Sequence, residues 1–480
     1  MNLSKTSENL AARVCLAAMA ILAIGGIFFY KERSFFADTA YVLFHIINNQ
    51  ALAIQFNRYG AVITQAVPLA AVKLHLPLKA VLVAYSASTG IFYFSVAALL
   101  IYRFRQYGLM VLMALCYFVF VSQSFYWGSE IPQGLAWMFL MFGVALYMGQ
   151  KGRSLWLIAI PFAATCLLAV FTHFSIMMAM LYLWVYMISD KERWPFKVRD
   201  SLWLSGLLLS CIGFKFYLAM DVNVKAGDGP ILEIVFRCSI RDIYGMFGTP
   251  VLQAFLGRCV TNYWAGVILF ITGVTSLLLQ RKYWLAIWSV LTCLGYMVIM
   301  SLTFSGWGVD AALFHIESEW LCMSVPALTP FALGYLPVGK GRKAVLFTAG
   351  VLLVRMVYIA MAATPFRWHI QFQERAFTQM EQLKENKVAF LRTEELHSNY
   401  ILDWAAGYES MLASGLRGDR PQKLFAIVPP SDTAAIRSFR RNGFPSGFGM
   451  EYSMPFNHRY LDMDTVGEYR FISPDVLMKP

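Results

Sequence analysis

The chain has 480 residues, of which 58% are hydrophobic and 14% charged, and its mean hydropathy is +0.55. Soluble globular proteins carry about 25% charged residues, so composition excludes that class and indicates an all-α polytopic membrane protein. The net charge of +12 reads as loop topology, because lysine and arginine collect in cytoplasmic loops. No aromatic–basic recognition motif accompanies it, which argues against nucleic acid as a partner.

In chain order, the apolar run Arg13 to Tyr30 ends in Lys31-Glu32-Arg33 without a small-residue cleavage site, so 12–30 is expected to be a retained first span. Residues 31–78 follow as a long outer loop, too polar at its start for lipid and too apolar for an ordinary surface loop. Tyr41 to Ile54 and Tyr59 to His75 are expected to lie as two amphipathic helices on the bilayer surface, with Asp38 pointing into a polar cavity. Further apolar runs fall at 79–102, 107–125, 131–150, 155–172, 174–190, 202–220, 262–280, 283–304, 318–337 and 343–363. A span needs roughly 20 apolar residues, which gives about eleven transmembrane helices. The stretch 60–76 is interrupted by Pro68 and bounded by Arg58 and Lys73, and is expected to be re-entrant or interfacial and not a twelfth span.

Loop charge orders these spans. Arg103/Arg105, Lys151/Arg153, Lys191 to Arg199, Arg281/Lys282 and Lys340 to Lys343 form the basic set, whereas 126–130, 173 and 305–317 contain neither lysine nor arginine. The alternation predicts a cytoplasmic N-terminus and an extracytoplasmic C-terminus, in a bacterial inner membrane. A second outer loop, 221–261, carries a Gly227-Asp228-Gly229-Pro230 turn, a surface helix at Ile231 to Phe247, and Cys238 and Cys259, which can pair if the loop faces an oxidising compartment. The domain division is therefore 1–363 for the transmembrane part and 364–480 for a small mixed α/β extracytoplasmic domain. Within that tail, Phe372 to Lys387 reads as an amphipathic helix and Leu424 to Val428 as a buried strand ahead of Pro429-Pro430.

Ionisable residues at the outer ends of the spans carry the candidate chemistry. These are Asp38, Glu130 and His173, with Asp310, His315, Glu317 and Glu319 before the tenth span. Converging carboxylates and histidines can supply a general base and bind a sugar or a cation. Lys215 and Arg355 lie inside spans, where a charge costs about 2.5–3.5 kcal/mol on insertion scales and therefore faces a cavity or a partner. Arg355 can pair with a carboxylate or hold a lipid-linked phosphate through two hydrogen bonds. Lys215, Arg237, Arg241 and Arg258 are further phosphate candidates. The sequence contains no GxxxxGK[ST], GxSxG, HExxH or CxxC, which argues against an ATPase or pump.

The layout, with Phe36-Ala37-Asp38-Thr39-Ala40-Tyr41, Asn57-Arg58-Tyr59-Gly60, Ser129-Glu130-Ile131-Pro132 and Thr172-His173-Phe174, resembles the GT-C superfamily. These are membrane glycosyltransferases that use polyprenyl-phosphate sugars, among them protein O-mannosyltransferases and the aminoarabinose transferases of lipid A. The resemblance covers roughly 12–363. It implies Asp38 as catalytic base, Glu130 and His173 in the donor pocket, and Arg355 or a loop arginine on the carrier phosphate. It also implies a lipid-linked sugar donor. Family members often carry a second acid beside the first; here Thr39 follows Asp38, which leaves a divalent cation unassigned. Two other functions fit the layout. A polysaccharide polymerase or ligase would rest on Arg237, Arg241 and Arg258, and a transporter or membrane-complex subunit would need none of these residues for chemistry. Protein partners are not indicated.

Overall fold

A computed structural model describes residues 3–219 apart from 56, then 239–305, 317, 320–338, 341–391, 400–428, 444–446, 450–452, 455–463 and 469–473. Up to residue 361 the described chain is helical. In hydrocarbon every backbone N–H and C=O must be satisfied within the segment, and a helix does this. Six helices are long and apolar enough to cross a membrane: Ser7–Phe28, Leu78–Arg103, Ile131–Gln150, Val198–Leu218, Tyr283–Thr303 and Arg342–Leu383. Pro250–Thr261 and Trp264–Leu279, bent by 83° at their junction, make a seventh if counted as one span. Tyr107–Val119, Leu155–Val170 and Ile176–Ser189 are apolar but shorter. The chain is thus an all-α membrane protein by length and composition of its helices.

The elements that frame the site are α1 (Leu3–Phe28), α2 (Tyr30–Ser34), α3 (Ala37–Asn49), α4 (Val62–Lys73), α5 (Leu78–Ala98), α6 (Tyr107–Val119) and α7 (Ile131–Gln150). Every residue of α6 from Gly108 to Val119 is buried. A helix apolar on all sides belongs in the middle of a bundle, and α6 occupies that place. Around it, large apolar side chains such as Ile24, Phe28, Trp156, Ile160 and Leu279 face outward. That surface suits lipid and not water.

Contacts sort the connecting loops into two ends. At one end Arg103 donates to Tyr147, Arg193 pairs with Glu8 at 3.1 Å and donates to Leu333 O, and Lys282 reaches Asp190 at 3.6 Å. At the other, Arg58 meets Glu130, Gly60 N donates to Phe171 O, and Tyr263 donates to Glu317. The basic loops around Arg103, Arg193 and Lys282 share the first end, as the charge pattern predicts.

The 31–78 loop differs from expectation in what covers it. Two short helices are present, and α4, at 12 residues with Pro68 inside it, is too short to cross a bilayer. The apolar face of α3, however, is not laid on lipid. Leu43, Phe44, Ile46 and Ile47 are buried in one core with Phe372, Phe377, Tyr408 and Met411 of the tail. The physical reason is hydrogen bonding as well as burial. Asn457 of the tail donates from its backbone N–H to Asn48 Oδ1 and from Nδ2 to Ile47 O, at 2.9 and 2.8 Å.

In the tail the expected amphipathic helix starts earlier, at Ala363, and runs to Leu383 in direct continuation of Arg342–Met361. A three-stranded parallel sheet follows: β1 (Lys387–Leu391) lies between β2 (Leu424–Val428) and a third strand, Arg470–Ile472. The helix Ala406–Arg417 connects β1 to β2, as a parallel pair requires a crossover. The strand expected at Leu424 to Val428 is fully buried. Ile231 and the 227–230 turn lie outside the described residues, as does Cys238; a short helix, Ile240–Gly245, is described nearby.

One tight crossing gives a stability test. A side chain on Gly273 would begin 2.4 Å from Phe331 N, inside the backbone of the neighbouring segment. Gly273→Leu is therefore expected to cost about 3 kcal/mol or more through overpacking, read as a lowered unfolding temperature in detergent, while Gly350→Leu, whose Cβ position is open, leaves it within error.

Candidate functional site

The loop between α6 and α7 organises the second end of the bundle. Its residues Phe120 to Trp127 are, Gln123 aside, apolar or buried, yet its backbone groups need partners away from water. Arg355 and Glu317 provide them. Arg355 donates from Nε to Phe118 O (2.9 Å), from Nη2 to Val121 O (3.0 Å) and Ser122 Oγ (3.3 Å), and from Nη1 to Asn262 O. A cation at these last carbonyls of α6 is well placed against the helix dipole.

Glu317 accepts from Ser122 N, Ser124 N and Ser122 Oγ at 2.8, 2.8 and 2.7 Å, and from Tyr263 Oη at 2.9 Å. Arg258 Nη1 stands 3.8 Å from the same carboxylate. Glu317 and Arg355 were expected on substrate and phosphate. Both are instead fully buried and engaged by the protein itself, so they anchor a loop and are not open to a ligand. Arg258 is drawn into the same group. Tyr400 joins its edge, accepting from Gln123 Nε2 at 2.5 Å, and burial pushes its hydroxyl up to about 12.

Asp38 sits beside this anchored loop. It lies in the first turn of α3, exposed, where a carboxylate is stabilised by the helix N-terminus. The next residue, Thr39, accepts from Gly128 N through Oγ1 at 2.9 Å. Tyr85 lies in the field of both Asp38 and Glu130, and Glu130 pairs with Arg58 at 3.3 Å in a half-buried contact. The start of α3 is also held from the tail. Glu409 Oε1 accepts from Ala37 N at 2.7 Å, and its Oε2 is 2.9 Å from His369 Nε2. Ala37 has φ +44°, a conformation unusual for a side-chain-bearing residue, so this buried clamp fixes the backbone from which Asp38 projects.

Three separated sequence segments meet here. Gly60 N donates to Phe171 O, Trp137 Nε1 donates to Gly60 O at 2.9 Å, and a Cβ on Gly60 would fall 1.7 Å from Thr172 Oγ1. Glycine is needed for that approach. His173 is buried, and its Nδ1 accepts from Ser175 N at 3.2 Å, which stabilises the turn it occupies. Lys215 is buried with Nζ 5.4 Å above the Phe171 ring. Arg241 is exposed on Ile240–Gly245. Arg237, Asp310, His315 and Glu319 lie outside the described residues. Among the described residues no three His, Cys, Asp or Glu side chains converge as a metal site.

One residue was missed. Arg33, read from sequence as a boundary charge, is buried and donates to Ser86 Oγ (3.0 Å), Thr89 Oγ1 (2.7 Å) and Phe125 O. It lines a cavity of about 40 Å³ with Tyr93 and Tyr117, room for water but not for a sugar ring. The available signal was Ser86 and Thr89, one helical turn apart in an apolar span. No protein-family model matches the chain, no curated protein matches it, and no solved structure matches it.

Removing Glu317 leaves buried donors and Arg258 without their acceptor. Glu317→Ala is expected to destabilise by about 3–5 kcal/mol, measured by thermal unfolding of purified protein, and Asp38→Ala, at an exposed site, to leave the unfolding temperature nearly unchanged.

Proposed function

We propose that the chain is an integral membrane glycosyltransferase of GT-C type, moving a sugar from a polyprenyl-phosphate donor to an envelope glycan, lipid or protein acceptor. The observation that carries this reading is the placement of an exposed carboxylate, Asp38, on a clamped backbone beside the Arg58–Glu130 pair at one end of the bundle. Asp38 takes the proton of the acceptor hydroxyl as that oxygen bonds to the anomeric carbon. The glycosyl–phosphate bond breaks, and the carrier phosphate departs with its electron pair. Arg58 is the nearest engaged cation of this group, and Arg237 and Arg241 of the second outer loop are the further cations for the carrier phosphate. Arg355 drops out of the phosphate role because its donors are taken.

The same reading assigns about eleven crossings, counting the bent pair as one, the three shorter apolar helices and the segment Trp320–Tyr335. The end that carries Asp38 and the tail is extracytoplasmic, and the N-terminus is cytoplasmic, following the basic loops. The tail then forms a small mixed domain over the site, in a bacterial inner membrane.

The test is a glycan and glycolipid profile of cells lacking the gene, complemented with wild type or Asp38→Asn. A product restored by wild type and reduced by about 10²–10⁴-fold with Asp38→Asn is the expected result for loss of a general base. Restoration by both versions removes Asp38 from catalysis and favours a polymerase or ligase resting on the loop arginines; no change under any condition removes the transferase reading altogether.

A further inference from the structure

A larger hollow, about 430 Å³, opens where the turn between α4 and α5 meets the tail. Its walls are His75 to Leu78 on one side and Gly415 to Gln422 with Arg459 and Tyr460 on the other. It shares no lining residue with the group around Asp38, Arg58 and Glu130. Its volume falls in the range of small-ligand sites, about 300–1,000 Å³.

Two guanidinium groups set its chemistry. Arg420 Nη2 donates to Arg459 O at 2.8 Å, and Arg459 Nη2 donates to His75 O at 2.8 Å. Each arginine is thus tethered at one edge, and the Nε of both and Nη1 of Arg459 have no acceptor among the described residues. The carboxylate in the lining, Asp419, is already satisfied: Ser414 Oγ donates to it at 2.7 Å, and Lys423 and Arg417 lie at 3.3 and 3.8 Å. The hollow is therefore positive and presents donors suited to a phosphate.

Its surroundings are apolar on the membrane side. Leu78, in the wall, begins the spanning helix that runs to Arg103. On α4, Ile63 and Val67 are exposed by 42 and 45% one turn apart; Leu74, the residue that caps the helix, is exposed by 71% and continues the same face, and Leu76 in the turn is 40% exposed. The stripe leads along α4 into the turn that forms the wall facing the two arginines. A soluble anion would have no use for it, whereas a lipid whose phosphate enters the hollow would lay its chain there. We propose that this hollow binds the phosphate headgroup of a membrane lipid and that the α4 stripe receives its chain. Phospholipids and polyprenyl phosphates share that chemistry.

The test compares one headgroup with and without a chain. Full-length protein in detergent is titrated calorimetrically with dihexanoyl phosphatidic acid and, separately, with glycerol 3-phosphate. Saturable binding of the phosphatidic acid is expected, weakened about tenfold or more by Arg420→Gln with Arg459→Gln, a loss of about 1.4 kcal/mol or more by the standard relation. Arg420→Lys with Arg459→Lys, which keeps the charge but not the planar donor fork, should fall between. Val67→Gln with Leu74→Gln should weaken phosphatidic acid and leave glycerol 3-phosphate unaffected. All these side chains are exposed, so the variants are expected to fold. Phosphatidic acid binding that survives the glutamine pair overturns the site. Equal affinity for the two ligands overturns the lipid assignment in favour of a soluble phosphate.

Discussion

The arrangement at one end of the bundle depends on a single buried carboxylate. Taking Glu317 out of water costs several kcal/mol, and only good geometry with every oxygen engaged offsets that penalty. The structure meets the condition with two backbone N–H groups, a serine hydroxyl, a tyrosine hydroxyl and a nearby guanidinium. Those donors come from the segments 122–124 and 258–263, and Arg355 reaches the same loop from another helix. The carboxylate is thus a pin that ties the segment after α6 to the end of the helix Pro250–Thr261 and to Tyr263 beyond it. Once they are pinned, Gly128 can meet Thr39, and the head of α3 has a fixed neighbour.

The tail reinforces that position from the opposite side. Its buried His369–Glu409 pair holds the backbone N–H of Ala37, and its apolar residues share a core with α3. The exposed Asp38 therefore stands on backbone restrained by two independent contacts. A reactive group on a loop gains little from its own flexibility; placing it at a clamped helix start gives it orientation without burying it. The outer loop and the tail work as one unit in this respect.

Much of this was legible in the residues. Composition established the membrane class, and the positions of lysine and arginine grouped the loops that contacts now place together. The apolar run at 107–125 overshoots because Phe120, Val121 and Phe125 count as apolar, although helix α6 stops at Val119. Hydropathy records affinity for an apolar environment and is blind to the hydrogen bonds that Arg355 and Glu317 supply to an irregular buried loop. Arg33 was hidden by its neighbours Lys31 and Glu32, which made it look like an ordinary span boundary. The pattern of α3 announced one apolar face and could not announce that the tail, more than three hundred residues later, would cover it. Arg58 was quoted as part of a motif, but its pairing with Glu130 across the fold follows from a glycine, Gly60, that lets two backbones touch.

The helix Arg342–Met361 passes almost without interruption into Ala363–Leu383, a run of 42 residues. Its outer arm of 21 residues is about 31 Å long. An α-helix of that length is stiff, so the arm behaves as a lever on the helix it continues. Spans tilt to match the thickness of the hydrocarbon around them, and a tilt of about 10° would sweep the tip of such an arm by ~5 Å. Because the same arm carries His369, whose partner Glu409 holds Ala37 N, a tilt of this helix would reach the backbone under Asp38 as torque.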